Sequence, residues 1–263
     1  FKNPFLHGMG IRFTVAVITK NEEQRIAACL KSVAALADEL LVVDSGSEDR
    51  TIEIAEELGA RVIVNPFEGH VQQKNFAMNA ARNDWILSLD ADEELSETAQ
   101  RELATCIEKP GEAAAFSFNR RNNYCGTWLR HGGWYPDRKI RFWDRRKGQW
   151  GGWNPHDEVV MDKGFRTEHL NGDILHYTYD REEDHIRQMR YFSSLSAQTY
   201  FEKGRRTHSF EVLFNPAFSF LRDYFFRGGF RDGRAGWRAA GIATRYQYWK
   251  YKKLLALQKG RTE

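Results

Sequence analysis

The chain has 263 residues, 41% of them hydrophobic and 29% charged, with a net charge of only +3 at neutral pH. This composition excludes a disordered or fibrous chain and leaves a soluble globular class of one large domain, or one domain with an extension. No run approaches the roughly 20 apolar residues of a membrane span, and the three cysteines, Cys29, Cys106 and Cys125, form no CxxC pair, so free thiols in a reducing compartment are expected.

The opening FKNPFLHGMG lacks the basic-then-apolar order of an export signal. RFTVAVIT (12–19) then reads as a strand, and NEEQRIAACLKSVAAL as a helix with Ile26, Leu30 and Val33 on one face. ELLVVDSGS (39–47) is a second strand ending in turn chemistry. SEDRTIEIAEELG is a helix expected to start at Ser47 as N-cap and stop at Gly59. ARVIVNP (60–66) is a third strand, VQQKNFAMNAARN a helix and DWILSLDAD a fourth strand; SETAQRELATCIEK is a helix capped by Ser96.

Strands alternating with helices predict an α/β fold with a mainly parallel, open sheet. Ligands bind such sheets outside the carboxyl ends of the strands. Polar residues gather there in sequence: Thr19, Asn21 and Glu22 after the first strand, Asp44, Ser45 and Ser47 after the second, Asp90 and Asp92 after the fourth. From about residue 114 the pattern becomes a mixed continuation rich in Arg, Gly and aromatics, with short strands at AAFSFNR and KIRFW. From Glu182 onward the chain is helical. The expected domains are therefore 12–181, catalytic, and 182–263, a helical, basic and aromatic extension.

Asp90-Ala91-Asp92 follows a buried strand and runs into Glu93 and Glu94. Two carboxylates one residue apart can share a divalent cation, and Mg²⁺ commonly joins one or two carboxylates to substrate phosphates. A lone D-x-D is more often a solvated turn; the polar groups ending the first two strands favour the cation. Neither G-x-G-x-x-G nor a P-loop follows any strand, which argues against dinucleotide and P-loop chemistry.

VAVITKNEEQRIAACLKSV, DELLVVDSGSEDRTIEIAEELGARV and QQKNFAMNAARNDWILSLDADEELS resemble the family 2 glycosyltransferases of GT-A fold, a Rossmann-like mixed sheet. The later HDEVV, ILHYTYDREEDHIRQMRYFSSLSAQTYFEKGRR and FFRGGFRDGRAGWRAAGIATRYQYWKYKKL resemble one branch, the lipopolysaccharide inner-core β-1,4-glucosyltransferases. The resemblance implies a metal-dependent, inverting hexosyltransferase using a UDP-sugar, UDP-glucose above others, and Mn²⁺ or Mg²⁺. It implies that Thr19, Asn21, Glu22, Asp44, Ser45, Lys74, Asn75, Asp90 and Ala91 line the donor pocket, with Asp44 accepting a hydrogen bond from the uracil. Asp92 would ligate the metal, with His176 completing the shell and Asp90 a further candidate; a purely structural His176 is the equal alternative.

The resemblance also implies a carboxylate base. Relatives carry His-Glu where this chain has His156-Asp157-Glu158, so Asp157 is the expected base and Glu158 the alternative. Asp137 is a weaker candidate, more simply read as a salt bridge to Arg138 or Arg141. Trp128, Trp134, Trp150 and Trp153 sit among glycines, and flat indole faces suit a sugar ring; Trp134, Trp153 and His156 are assigned to an acceptor region. Arg120, Arg121, Arg130 and Arg138 could meet phosphates.

Residues 208–258 hold nine Lys/Arg against three Asp/Glu. They read as two amphipathic helices suited to a membrane interface, or as a helical cap. The expected partners are a nucleotide sugar and a glycolipid acceptor, with peripheral membrane contact on the cytoplasmic side. Other readings are another sugar donor, a capsule or glycoprotein acceptor, and a non-enzymatic sugar-nucleotide or nucleic-acid binder; no nucleic acid is expected, because strand-end acids fit it badly.

Overall fold

The computed structural model describes residues 10–109, 111–153 and 156–260; the opening segment considered for an export signal falls almost wholly outside them. The elements in order are β1 (Phe13–Thr19), α1 (Ile26–Lys31), β2 (Glu39–Asp44), α2 (Thr51–Glu57), β3 (Arg61–Val64), α3 (His70–Ala80), β4 (Trp85–Asp90), β5 (Glu93–Leu95) and α4 (Glu97–Glu108). There follow β6 (Ala113–Tyr124), β7 (Thr127–Trp128), β8 (Asp137–Asp144), β9 (Gly148–Trp153), β10 (His156–Met161) and β11 (Arg166–Tyr179). The last part is helical: α5 (Glu182–Glu202), α6 (Ser209–Phe220) running into a π-helical turn (Leu221–Phe226), a 3-10 turn (Gly229–Asp232) and α7 (Gly233–Gln258).

Among the described residues one mixed sheet has the order β3-β2-β1-β4-β8-β6-β11-β5, with β7 on β6, and β9 and β10 form a separate hairpin. β3, β2, β1 and β4 are parallel, as the apolar runs of the central strands β2, β1 and β4 predict for strands buried on both faces. β8 then lies antiparallel to β4 and to β6. This is the α/β arrangement of a GT-A fold.

Local chemistry sets several boundaries. Ser96 caps α4, its Oγ accepting from the Ala99 N–H at 3.3 Å. Gly59 ends α2 at φ +82°, the left-handed conformation glycine tolerates. Ser47 does not cap α2. The helix starts at Thr51, whose N–H donates to Asp49 Oδ1 at 3.0 Å, while Ser47 Oγ is spent on Asp44 and on the Asn21 N–H. The first helix of the sequence reading also proves short, with only Ile26–Lys31 α-helical.

The molecule divides into two compact units: residues up to 120 with 137–176, and residues 121–136 with 177 onward. In the first, the sheet is covered on one face by Phe13, Val15, Leu87, Phe116 and Phe142 with Ile26 and Leu30. The other face holds Leu41, Val43, Ile86, Trp143 and Trp150 with Ala77 and Met78 of α3. Gly172 lets β11 pass α4: a Cβ there would stand 2.3 Å from Ala99 Cα. In the second unit, Tyr124, Leu129, Ala239 and Ile242 pack with Trp134 and Tyr179 around His185.

Two outcomes are expected. Gly172→Ala should cost about 1–3 kcal/mol by overpacking, read as a lowered melting temperature. His185 is 2% exposed, and burial lowers its pKa from 6.5 to about 4. Between those values the unfolded chain binds a proton that the folded chain refuses, so stability falls as pH drops through this window, by up to about 3 kcal/mol. Denaturant titrations of wild type and His185→Gln across pH 4–7 should give a shallower slope for the variant.

Candidate active site

The ends of β1, β2 and β4 lie side by side because these strands are parallel and in register, with Thr19 opposite Asp44 and Ile18 opposite Asp90. The loops after β1 and β2 are tied together. Asn21, at φ +54°, donates its N–H to Ser47 Oγ at 2.8 Å and accepts the Glu48 N–H on Oδ1 at 2.9 Å. The Glu22 N–H donates to Thr51 Oγ1 at 2.7 Å. Asp44 is fully buried; its Oδ1 accepts the N–H groups of Gly46 and Ser47 at 2.7 Å, and its Oδ2 accepts from Ser47 Oγ. The carboxylate expected to meet a uracil is thus engaged by its own turn. Ser45 donates its N–H to the Thr19 carbonyl at 2.9 Å and accepts from Gln73 Nε2 at 3.0 Å. Thr19 Oγ1 is buried without a hydrogen-bond partner among the described residues, a state that costs free energy unless a ligand relieves it.

Next to these loops lies a charged cluster. Lys74 of α3 is 3% exposed and bridges two carboxylates, Asp90 at 3.0 Å and Asp157 at 2.7 Å. Its ammonium lies 4.5 Å from the centroid of the Trp150 ring, so this buried tryptophan serves as a cation–π floor beneath the cluster. The neighbouring Asn75 locks α3 to β9 through both backbone groups of Trp150, at 2.9 and 3.2 Å. Arg141 of β8, also 3% exposed, holds Glu93 at 2.8 Å and reaches Asp90 at 3.4 Å. Arg120 stands 3.6 Å from Glu93 and 2.8 Å from Asp137. Asp137 does form ion pairs, but with Arg120 and Lys139, in place of the expected Arg138 or Arg141.

These cations govern ionisation. Burial alone would raise the Asp90 carboxyl; Lys74 and Arg141 outweigh it and hold Asp90 well below the usual carboxylate range. At Asp157 burial again opposes ionisation, and Lys74 reverses it, so the net shift is downward. Both groups are therefore anions at neutral pH. Successive strand residues point to opposite faces. With Asp157 turned to Lys74, the exposed Glu158 projects from the other face of β10.

Asp92 is aimed elsewhere. Its Oδ2 lies 3.2 Å from His176 Nε2, because β11 pairs with β5 and sets His176 opposite Glu93. Both side chains are partly exposed, at 28% and 14%. Ala91 between the two aspartates is buried. Among the described residues no three His, Cys, Asp or Glu gather into a complete metal centre. One oxygen and one imidazole nitrogen fit a Mn²⁺- or Mg²⁺-class cation that takes the rest of its shell from phosphate oxygens and water. Asp90, the further candidate ligand, is turned toward Lys74 and Arg141.

Of the acceptor-region candidates, Trp153 and His156 are cross-strand neighbours at the closed end of the β9–β10 hairpin; their side chains lie outside the described residues. Trp134 belongs to the second unit, where its ring packs edge-on against His185 and Tyr179. Sequence reasoning left out Gln73, Glu93 and Arg141 as site residues. Gln73 and Glu93 adjoin candidates that were chosen, and both are almost fully buried. Arg141 carried no local sign, since its partners lie 48 and 51 residues away.

Comparison with known proteins identifies the family. The family model for glycosyl transferase family 2 matches residues 14–172. An uncharacterized glycosyltransferase of Rickettsia typhi is 31% identical over 94% of this chain and 87% of its own length. A lipopolysaccharide core biosynthesis glycosyltransferase of Rhizobium meliloti, LpsC, is 27% identical over 88% of this chain and 87% of its own. Among solved structures, glucosyl-3-phosphoglycerate synthase from Mycobacterium tuberculosis, in complex with Mn²⁺ and UDP-glucose, is 25% identical with a TM-score of 0.36. That match covers 43% of this chain and 44% of the synthase, so the shared part is less than half of either protein. By the family match and by relatives matched over most of their length, the chain is a family 2 glycosyltransferase.

Proposed function

We propose that this glycosyltransferase moves a hexose, glucose from UDP-glucose in the first instance, with inversion onto a hydroxyl of a lipid-linked glycan of the lipopolysaccharide inner-core kind. The carrying observation is one cluster: Asp157 and Asp90 share Lys74 beside the Asp92–His176 pair. The full-length relative named for lipopolysaccharide core biosynthesis supports the acceptor class. We place the reaction at the cytoplasmic face of the membrane; no helix among the described residues is long and apolar enough to cross it.

In this reading the loops after β1 and β2, with the unpartnered Thr19 hydroxyl, receive the nucleoside. Lys74 faces the diphosphate, and Asp157 faces the acceptor. The acceptor hydroxyl attacks the anomeric carbon opposite the leaving diphosphate, through a transition state resembling an oxocarbenium ion. Asp157 takes the hydroxyl proton as the new bond forms. Asp157 is preferred to Glu158 because its side chain lies on the Lys74 side of β10. While Lys74 holds it, Asp157 is a weak base; a diphosphate competing for Lys74 would raise its basicity. A divalent cation held by Asp92 and His176 would offset charge on the departing diphosphate.

Three variants test these roles. Asp157→Asn should lower kcat by about 10²–10⁴-fold while donor affinity in a binding titration is kept or tightened, because the carboxylate that competes for Lys74 is gone. Glu158→Gln should turn over like wild type; the opposite pattern would transfer the base to Glu158. Asp92→Asn should remove the dependence of donor binding on Mn²⁺ while the melting temperature of the free protein stays the same.

A further inference from the structure

The second unit carries a helix whose polarity is inverted. α6 and the π-helical turn after it bury Val212, Pro216, Ser219 and Asp223. They expose the large apolar side chains: Phe210, Leu213, Phe214, Leu221, Phe225 and Phe226 are all solvent-facing, Leu213 at 70% and Phe226 at 80%. Packing around the π-helical turn is close. Close packing against Gly132, Gly133 and Gly229, where an added Cβ would meet Asp223 within 2.6–3.3 Å, leaves room for Asp223 but not for a ring. Asp223 in turn is neutralised by Arg222 at 2.8 Å and Arg227 at 3.2 Å.

Ten consecutive residues, Val212 to Leu221, carry no charge. Arginines bracket them: Arg205 and Arg206 before, Arg222, Arg227 and Arg231 after, then Arg234 and Arg238 at the start of α7. Over residues 204–238 there are seven arginines against three acids, and Arg206, Arg231 and Arg234 have no carboxylate partner among the described residues. α7 itself, which the sequence suggested as a second interfacial helix, buries Gly236, Ala239, Ala240, Ile242, Tyr251 and Leu254 and so belongs to the packing of its unit.

So many large apolar side chains exposed along one helical segment mark an interaction site. A second copy of the chain would bring arginine against arginine at the ends of the face. An anionic lipid surface complements both features at once, with apolar side chains entering the acyl boundary and guanidinium groups meeting headgroup phosphates. We propose that the exposed face of α6 and its π-helical turn lies in the plane of an anionic lipid leaflet and is the membrane-docking surface of this protein. This deepens the reading of a membrane-borne acceptor and rests on it for its purpose, while docking itself requires neither donor nor acceptor.

The test is cosedimentation of the full chain with vesicles of phosphatidylcholine alone or mixed with phosphatidylglycerol, at low and high salt. Wild type should bind the anionic vesicles, less so in salt, and the triple variant Leu213→Gln, Phe214→Gln, Phe226→Ser should bind at least about tenfold more weakly. The variant should keep the wild-type melting temperature and its binding of UDP-sugar, since all three side chains are exposed. Equal binding by the variant, or no anionic-vesicle binding by wild type, overturns the proposal. So does a wild-type dimer that the variant converts to monomer without any vesicle binding, which would make the face a self-association surface. A failure to bind UDP-sugar would count against the proposed UDP donor and leave the vesicle result intact.

Discussion

The structure of the site depends on how negative charge is compensated where β4 ends. Asp90, Asp92, Glu93 and Glu94 fall within five residues, and like charges at that density repel unless cations are fixed among them. The chain supplies three from distant elements: Lys74 from α3, Arg141 from β8 and Arg120 from β6. Buried ion pairs of this kind contribute modest net stability, yet removing one partner leaves a costly uncompensated charge. The cluster therefore fixes the relative positions of α3, β4, β8 and β10. Asp92 is turned away from these cations and faces the imidazole of His176.

The same compensation links the two halves of the proposed chemistry. Lys74 is bonded at once to the strand-end aspartate and to the carboxylate on the hairpin. A nucleoside diphosphate would compete for this ammonium with two fixed carboxylates. In the proposed reaction, affinity for the donor and basicity of Asp157 would be coupled through this single side chain, and donor arrival would free the base.

Much of this was legible in the sequence, and the reasons are physical. The parallel strands announce themselves because burial on both faces demands continuous β-branched runs, and the fixed hand of the crossovers brings their carboxyl ends together. Thr19, Asp44 and Asp90 could thus be placed at one edge before any coordinates. Arg141 and Arg120 could not, because an ion pair across 48 residues of sequence leaves no periodic trace. Asp44 was read as facing a ligand; the Gly46–Ser47 turn that folds back onto both its oxygens was not foreseen in that reading. In α6 the amphipathic pattern was visible, but not which side faced outward; the close approach of Gly132 and Gly133 to Asp223, in the π-helical turn that follows, joins residues about 90 positions apart. Trp150 shows the same limit: a tryptophan among glycines suggested a sugar platform, and it proved to be the buried floor under Lys74.

The most direct measurement is calorimetric titration of the full chain with UDP-glucose and its UDP-sugar isomers, with and without Mn²⁺. Binding that requires the metal and prefers one sugar would establish that the strand-end acids hold a cation that holds a diphosphate. Absence of binding by every UDP-sugar, with the metal present, would contradict the UDP-donor site at its centre.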